Sequence, residues 1–295
     1  MGSGAELAFG NALGEITLAL FTSLAPASAL AFVFMELPLL GGALKPHRRT
    51  RLNKALSLPL VLCMAGLIAS ATHLGNPANA LYVARGIGRS PLSNEVSAAV
   101  VFLACAAIVW LLGFSLKDRS GLQRALMILA IPLAAAFIGM SALSYSVETI
   151  AAWNTPYTPA SIAVGAFVLS PAIASVGFAA AGGDCLAAKS GVPLVAVSAA
   201  AAIVLFAVYA LQGVSLEHLG NFMYAAVDVV PHYGLMLAVY GALSAVGVVV
   251  LALSLRTGAA HPLGMRITAA ALLFAALFIM RFAFYLMHLT VGVGV

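Results

Sequence analysis

The chain has 295 residues, of which 63% are hydrophobic and 8% charged, and its mean hydropathy is +1.09. Soluble globular domains carry about a quarter charged residues, so this composition excludes a soluble enzyme, a disordered tail and a nucleic-acid-binding domain. In so apolar a chain the net charge of +5 is first a sign of membrane topology.

At the amino end, Met1–Asn11 contains Glu6 and neither Lys nor Arg. It lacks the basic segment of a cleavable signal peptide, so the first apolar run is expected to be retained as a span. A helix crossing the hydrocarbon core needs about 20 mostly apolar residues. Eight such windows follow in order: Ile16–Leu40, Ala55–Ala71, Val96–Leu116, Leu122–Leu143, Ser161–Ala181, Val192–Leu211, Tyr233–Leu255 and Ile267–Leu289. They are apolar all round rather than striped, as membrane helices are. Long unbroken runs do not fit the weak alternation of a membrane barrel. Pro132 and Pro171 fall inside windows and are expected to kink helices rather than end them. The expectation is an all-α fold: one integral membrane domain over 1–295, a polytopic bundle of eight transmembrane helices. There is no internal repeat and no extramembrane domain, and the longest connection runs from Leu74 to Glu95.

Basic residues orient the bundle. The first loop holds Lys45, Arg48, Arg49, Arg51 and Lys54; the third holds Lys117, Arg119 and Arg124; the fifth holds Lys189; the seventh holds Arg256 and Arg266. The even loops hold only Arg85 and Arg89. The positive-inside rule places the odd loops in the cytoplasm, and eight spans then put both termini outside.

Ionisable groups near membrane depth are costly and therefore informative. On the outer side stand His73, Glu95, Glu148, Glu217, His218, Asp228, His232, Arg281 and His288; on the inner side stand Glu36, Asp118, Asp184, His47 and His261. The outer ends are thus rich in His and carboxylates. Residues such as His218 and His232 are most simply hydrated in the headgroup region, and Glu15 and Glu36 read as interface residues. Arg281 is deeper; pairing with a carboxylate and snorkelling outward both remain open. Glu95 reads either as a first-turn acid in a helix capped by Ser93 or Asn94, or as the partner of His73 across one loop.

Metal and haem chemistry find little to work with. The three cysteines, Cys63, Cys105 and Cys185, are far apart and form no C-x-x-C pair, which argues against a structural zinc site, an Fe–S cluster in this chain or a disulfide framework. His73, His232 and His288 cluster near outer ends, so one haem pair can be drawn, but no inner pair exists to carry electrons across. No metal site is expected.

The stretch Thr72–Val96 reads THLGNPANALYVARGIGRSPLSNEV. Its H-L-G-x-P opening and L-S-N-E close resemble the signature of the membrane anchor subunit of the dimethyl sulfoxide reductase family. Glu15–Thr22, EITLALFT, is similar to the opening of that family's first span, and Ala152–Pro159, AWNTPYTP, to its connection between the fourth and fifth spans. The resemblance covers roughly the first 190 residues. It implies a subunit that anchors a molybdopterin catalytic subunit and a four-cluster Fe–S subunit to the bacterial inner membrane. Such a subunit oxidises menaquinol, its bound substrate, and carries no haem or Fe–S cluster of its own. The family's quinol-site His and Glu fall on His73 and Glu95, and Gly75 lies in the same motif, where it lets a backbone approach closely. Many members carry a basic residue where Asn79 stands here, which leaves Arg85 and Arg89 as candidate quinol-binding cations.

Elementary chemistry agrees with that assignment. Electrons leaving a quinol without its protons would strand a charge in an apolar site, so a base must lie within reach of the hydroxyl. His73 is the natural first acceptor by its ordinary titration range, with Glu95 relaying outward. An Fe–S partner would then dock on the outer side. The alternative is a secondary transporter or proton-coupled permease, using the same polar residues as a substrate path. Such folds favour repeats, broken helices and midplane sites, and none of these is visible here.

Overall fold

A computed structural model describes residues 4–42, 44–73, 77–115, 120–182, 184–255 and 262–290. The chain forms helices α1 (Gly4–Gly14), α2 (Ile16–Leu40), α3 (Pro46–Ala55), α4 (Ser57–Thr72), α5 (Pro91–Leu112), α6 (Ser120–Ser144), α7 (Tyr157–Ala180), α8 (Asp184–Ser215), α9 (Ala226–Val229), α10 (Tyr233–Leu253) and α11 (Pro262–Leu286). A 3₁₀ segment, Pro77–Gly86, leads from α4 towards α5. Among the described residues there is no strand beyond one isolated bridge between Gly220 and Ala225. Eight helical stretches among the described residues are long and apolar enough to cross a membrane. The expected all-α bundle is what the chain forms.

Helices α2 and α7 are the centre. Within each, 72% of the most apolar window is buried, against 22–28% for α4, α8 and α10. Small residues explain the central place of α2. Ala19, Ala25, Ala27, Ala29 and Ala31 are fully buried, and short side chains let neighbouring backbones approach where no hydrophobic force drives helices together. Gly66 of α4 marks a close approach: a Cβ added there would lie 2.9 Å from the Ala25 Cβ. Around α2 pack α4, α6 and α7, with α5 closing against α6; around α7 pack α8 and α11, with α10 against both. Successive spans alternate in direction, so the bundle has two ends.

The basic end gathers α3 and the start of α6. Arg49 Nη2 donates to Gln123 Oε1 at 3.1 Å. Gln123 Nε2 donates to Asn53 Oδ1 at 3.2 Å and to the Val109 carbonyl at 3.0 Å. Asn53 Nδ2 donates to the Trp110 carbonyl at 3.0 Å. This web ties the basic helix α3 to the ends of α5 and α6.

Several boundaries differ from the sequence windows. The second span begins in the basic segment, at Pro46, because α3 and α4 join through a single turn at Leu56. The third begins at Pro91 rather than Val96: Ser90 accepts from the Ser93 amide, and proline suits the first helical position, where its missing N–H has no partner to lose. Helices α6 and α7 continue through Pro132 and Pro171. Glu36 is fully buried, with neither carboxylate oxygen hydrogen-bonded. It is a bundle-interior residue and not the interface residue its position near the end of a span suggested.

Candidate functional site

The site lies at the end opposite the basic web, where α2 and α5 begin and α4, α6 and α11 end. Because α2 and α4 run antiparallel side by side, the first residues of one meet the last of the other. Glu15 sits in the turn between α1 and α2, and His73 closes α4, its amide donating to the Ser70 carbonyl at 3.2 Å. His73 Nε2 lies 3.2 Å from Glu15 Oε2. The two atoms are close without forming an aligned hydrogen bond: Glu15 Oε2 is buried and has no hydrogen-bond partner. His73 itself is 37% exposed along its side chain. The pair is therefore open on the imidazole side and has a buried oxygen free to accept.

Glu95 stands one helix away. Since α5 starts at Pro91, Glu95 lies in the second turn, not the first, and the capping account of it does not hold. It is 1% exposed and faces Ser141 and Ser144 of α6. Its Oε1 has no hydrogen-bond partner. Ser144 Oγ is 2.8 Å from the carbonyl oxygens of both Pro91 and Met140, which pins the end of α6 to the start of α5. The lead-in to α5 is shaped by Gly88, at φ +81°, whose amide donates to Asn94 Oδ1 at 2.7 Å. A side chain at that φ would be strained.

Behind Glu95 lies an aromatic wall. Tyr145, just past α6, packs edge-on against Tyr285 of α11, with ring centroids 6.3 Å apart. Trp153 stacks on Phe284 at 4.3 Å and donates its indole N–H to the Phe284 carbonyl at 2.8 Å. The Ala152 amide donates to Thr290 Oγ1 at 3.2 Å. The AWN segment thus clamps the α6–α7 connection onto the end of α11. His288 lies against Trp153, with centroids 5.3 Å apart.

Of the residues the sequence singled out, His73 and Glu95 fall at one end of the bundle on helices that pack together. Arg85 and Arg89 are exposed on the connecting loop, and Arg85 stacks 4.9 Å over the Tyr82 ring. Gly75 lies outside the described residues, as does the side chain of Asn79. His218 and His232 are exposed. Arg281 does neither of the two things considered for it. It is 2% exposed, its Nη2 donates to Ser161 Oγ of α7 at 3.0 Å, and among the described residues no carboxylate lies within ion-pair distance of it. The sequence reading took Glu15 for an interface residue and passed over Tyr145 and Tyr285. The signal for Glu15 was its place in EITLALFT, an acid immediately before a span. The two tyrosines carry no local signal.

Residues 9–287 match the family model described as DMSO reductase anchor subunit (DmsC). The protein is 29% identical over 287 residues to the C subunit of anaerobic dimethyl sulfoxide reductase from Escherichia coli, an alignment that covers 97% of this protein and 99% of that one. It is 27% identical over 248 residues to the YnfH subunit of anaerobic dimethyl sulfoxide reductase from the same organism, with 84% and 86% covered. It is 26% identical over 234 residues to the C subunit from Haemophilus influenzae, with 76% and 79% covered.

Proposed function

Since this multi-pass membrane protein belongs to the DMSO reductase anchor subunit family, we propose that it anchors a catalytic subunit and an Fe–S subunit and oxidises menaquinol for them. The observation that carries this reading is the His73–Glu15 contact at the rim with the buried Glu95 on the neighbouring packed helix. Three features suit a lipid-borne quinol: an imidazole that is partly exposed, a buried carboxylate oxygen with no hydrogen-bond partner, and a second carboxyl shielded from water.

The reaction balances as follows. The quinol loses two electrons and two protons and becomes quinone. The electrons pass to the Fe–S partner. One proton goes to the His73–Glu15 pair and the other to Glu95, and both are released to water at this end of the bundle. Each acceptor must act as its electron leaves, because an unneutralised ring oxygen in an apolar site costs several kcal/mol. Arg85 and Arg89, exposed beside the site, offer positive charge to the docked Fe–S subunit or to the quinol ring. The one-sided distribution of Lys and Arg in the loops supports placing this end outside the cytoplasm of a bacterial inner membrane, with the partners docking there. Protons released and consumed on the same side would build no gradient.

The test uses the intact complex in membranes, with dimethyl sulfoxide as acceptor and either a reduced naphthoquinol or a reduced viologen dye as donor. His73→Gln should lower quinol-linked turnover by ~100-fold or more, the scale of a lost proton acceptor, and leave dye-linked turnover unchanged. Unchanged quinol-linked turnover rejects the reading. Impermeant labelling of the Fe–S partner in sealed vesicles of each orientation decides the docking side.

A further inference from the structure

A second feature lies at the same end of the bundle, on residues other than those of the His73–Glu95 site. Helix α1 turns off the start of α2 and packs on α11, on the 3₁₀ turn Met287–Thr290 and on α9. Between α1, the lead-in to α10 and the last turns of α11 it leaves a cleft of about 540 Å³, within the ordinary size of a small-molecule site. Phe9 of α1 meets Phe282 of α11 edge-on, with ring centroids 5.7 Å apart. Met236 of α10 adds to this apolar lining, and Glu6 and His232 supply its polar side chains. Both are exposed.

The cleft straddles the edge of the apolar layer. His232 immediately precedes α10 and Met236 lies in its first turn, while Phe282 belongs to the last turns of α11. Helix α10 is also among the least buried spans, so the cleft at its start lies on the lipid-facing flank of the bundle and not at its centre. An apolar lining with a polar lip at headgroup depth suits an amphiphile that comes from the bilayer.

Charge selects among amphiphiles. The segments that bound the cleft, residues 4–15 and 216–233, carry Glu6, Glu15, Glu217 and Asp228 and no Lys or Arg. Arg281, beside Phe282 in the chain, is buried and donates to Ser161 Oγ of α7. The field at the mouth is therefore negative, which favours a cationic headgroup and opposes an anionic phospholipid. A neutral quinol head has no charge to answer it. A carboxylate has about four acceptor positions, so Glu6 can take an ammonium while engaged elsewhere, and an imidazole has an N–H to give to a phosphate oxygen. A primary ammonium brings three donors, whereas a quaternary one brings none.

We propose that this cleft binds one phospholipid with a primary ammonium headgroup, the ammonium on Glu6, the phosphate on His232 and an acyl chain along Phe282 and Met236. The site is independent of the quinol reading, because it shares no residue with it and is read out by lipid capture.

The test places the intact complex in phosphatidylcholine vesicles that contain, in turn, a phosphatidylethanolamine, phosphatidylcholine or phosphatidylglycerol probe with the same photoactivatable acyl chain. Labelled peptides of this chain are then mapped by mass spectrometry. The phosphatidylethanolamine probe should label the peptides of Phe9 and Phe282 about tenfold more than either other probe, the scale of one hydrogen bond to a charged group. Glu6→Gln should bring the three probes level. Met236→Trp, which fills the cleft, should abolish labelling by all three, with quinol-linked and dye-linked turnover unchanged. Equal labelling by the three probes in the unaltered chain, or a preference that survives Glu6→Gln, overturns the proposal. So does displacement of the probe by excess naphthoquinol, which would make the cleft a second quinol site, or absence of labelling in the complex, which would mean that a partner subunit covers it. Should the Trp variant fail to assemble, Glu6→Gln decides, since that side chain is exposed.

Discussion

At the basic end one group of polar side chains that leave water finds a full set of partners. Arg49, Gln123 and Asn53 close a web onto the carbonyls of Val109 and Trp110, at distances of 3.0–3.2 Å. At the histidine end two carboxylate oxygens are left incomplete: Glu15 Oε2 and Glu95 Oε1 are buried without hydrogen-bond partners. Buried polar atoms are nearly always satisfied in folded proteins, and the exceptions ask for an explanation. The contrast separates a structural cluster, which holds helices together, from a site whose hydrogen bonds wait for a substrate. Glu36 and the Trp110 indole N–H are exceptions on the basic side of the chain, each buried and unpartnered.

The strongest way to break the contrast is at Glu95. Glu95→Gln keeps the shape and removes the proton acceptor, so quinol-linked turnover should fall by ~100-fold or more while dye-linked turnover persists. Equal loss of both activities would make Glu95 a structural residue like Gln123. Glu15→Gln should come next, with a loss of about tenfold, the scale of one hydrogen bond or about 1.4 kcal/mol, read as a raised KM for the naphthoquinol. A normal KM there would mean that the contact with His73 does not orient the imidazole. Gln123→Ala breaks the web at the other end. It should lower stability by about 1–2 kcal/mol, seen as an earlier thermal midpoint in detergent, and leave the KM for quinol alone; a changed KM would erase the distinction between the two ends. Glu36→Gln sharpens the exception: exchanging an unpartnered acid for an amide should not lower the thermal midpoint or quinol-linked turnover, and a loss of turnover would place Glu36 in the reaction. His218→Gln is the smallest change, with both activities within experimental error, since the residue is exposed.

Much of the fold was legible because hydropathy is summed along the chain. Ile16–Leu40 emerges with the bounds of α2 unchanged, and the other seven windows each overlap a spanning helix. Where bounds moved, local chemistry moved them. Ser90 and Pro91 form a better helix start than Ser93 or Asn94, and that shift of one turn carried Glu95 from a hydrated helix end into the interior. At the site, His73 and Glu95 were legible through motif and depth. Glu15 was visible only as an acid before a span, and the Tyr145–Tyr285 pair was not visible, since the two residues are far apart in sequence and each looks like any interfacial aromatic.

The amino-acid sequence alone determined that the protein is a helical membrane bundle, where its spans run, and that one end is basic while the other holds four of its six histidines. Those properties depend on runs of residues whose transfer from water is read one segment at a time. Only the tertiary structure decided which side chains meet: Glu15 with His73, Glu95 with the serines of α6, Arg281 among tyrosines rather than beside an acid. Helices apolar on every side carry no stripe to say which face turns inward. Their rotation and neighbours follow from the close packing of small residues, such as Gly66 on Ala25, which hydropathy does not register.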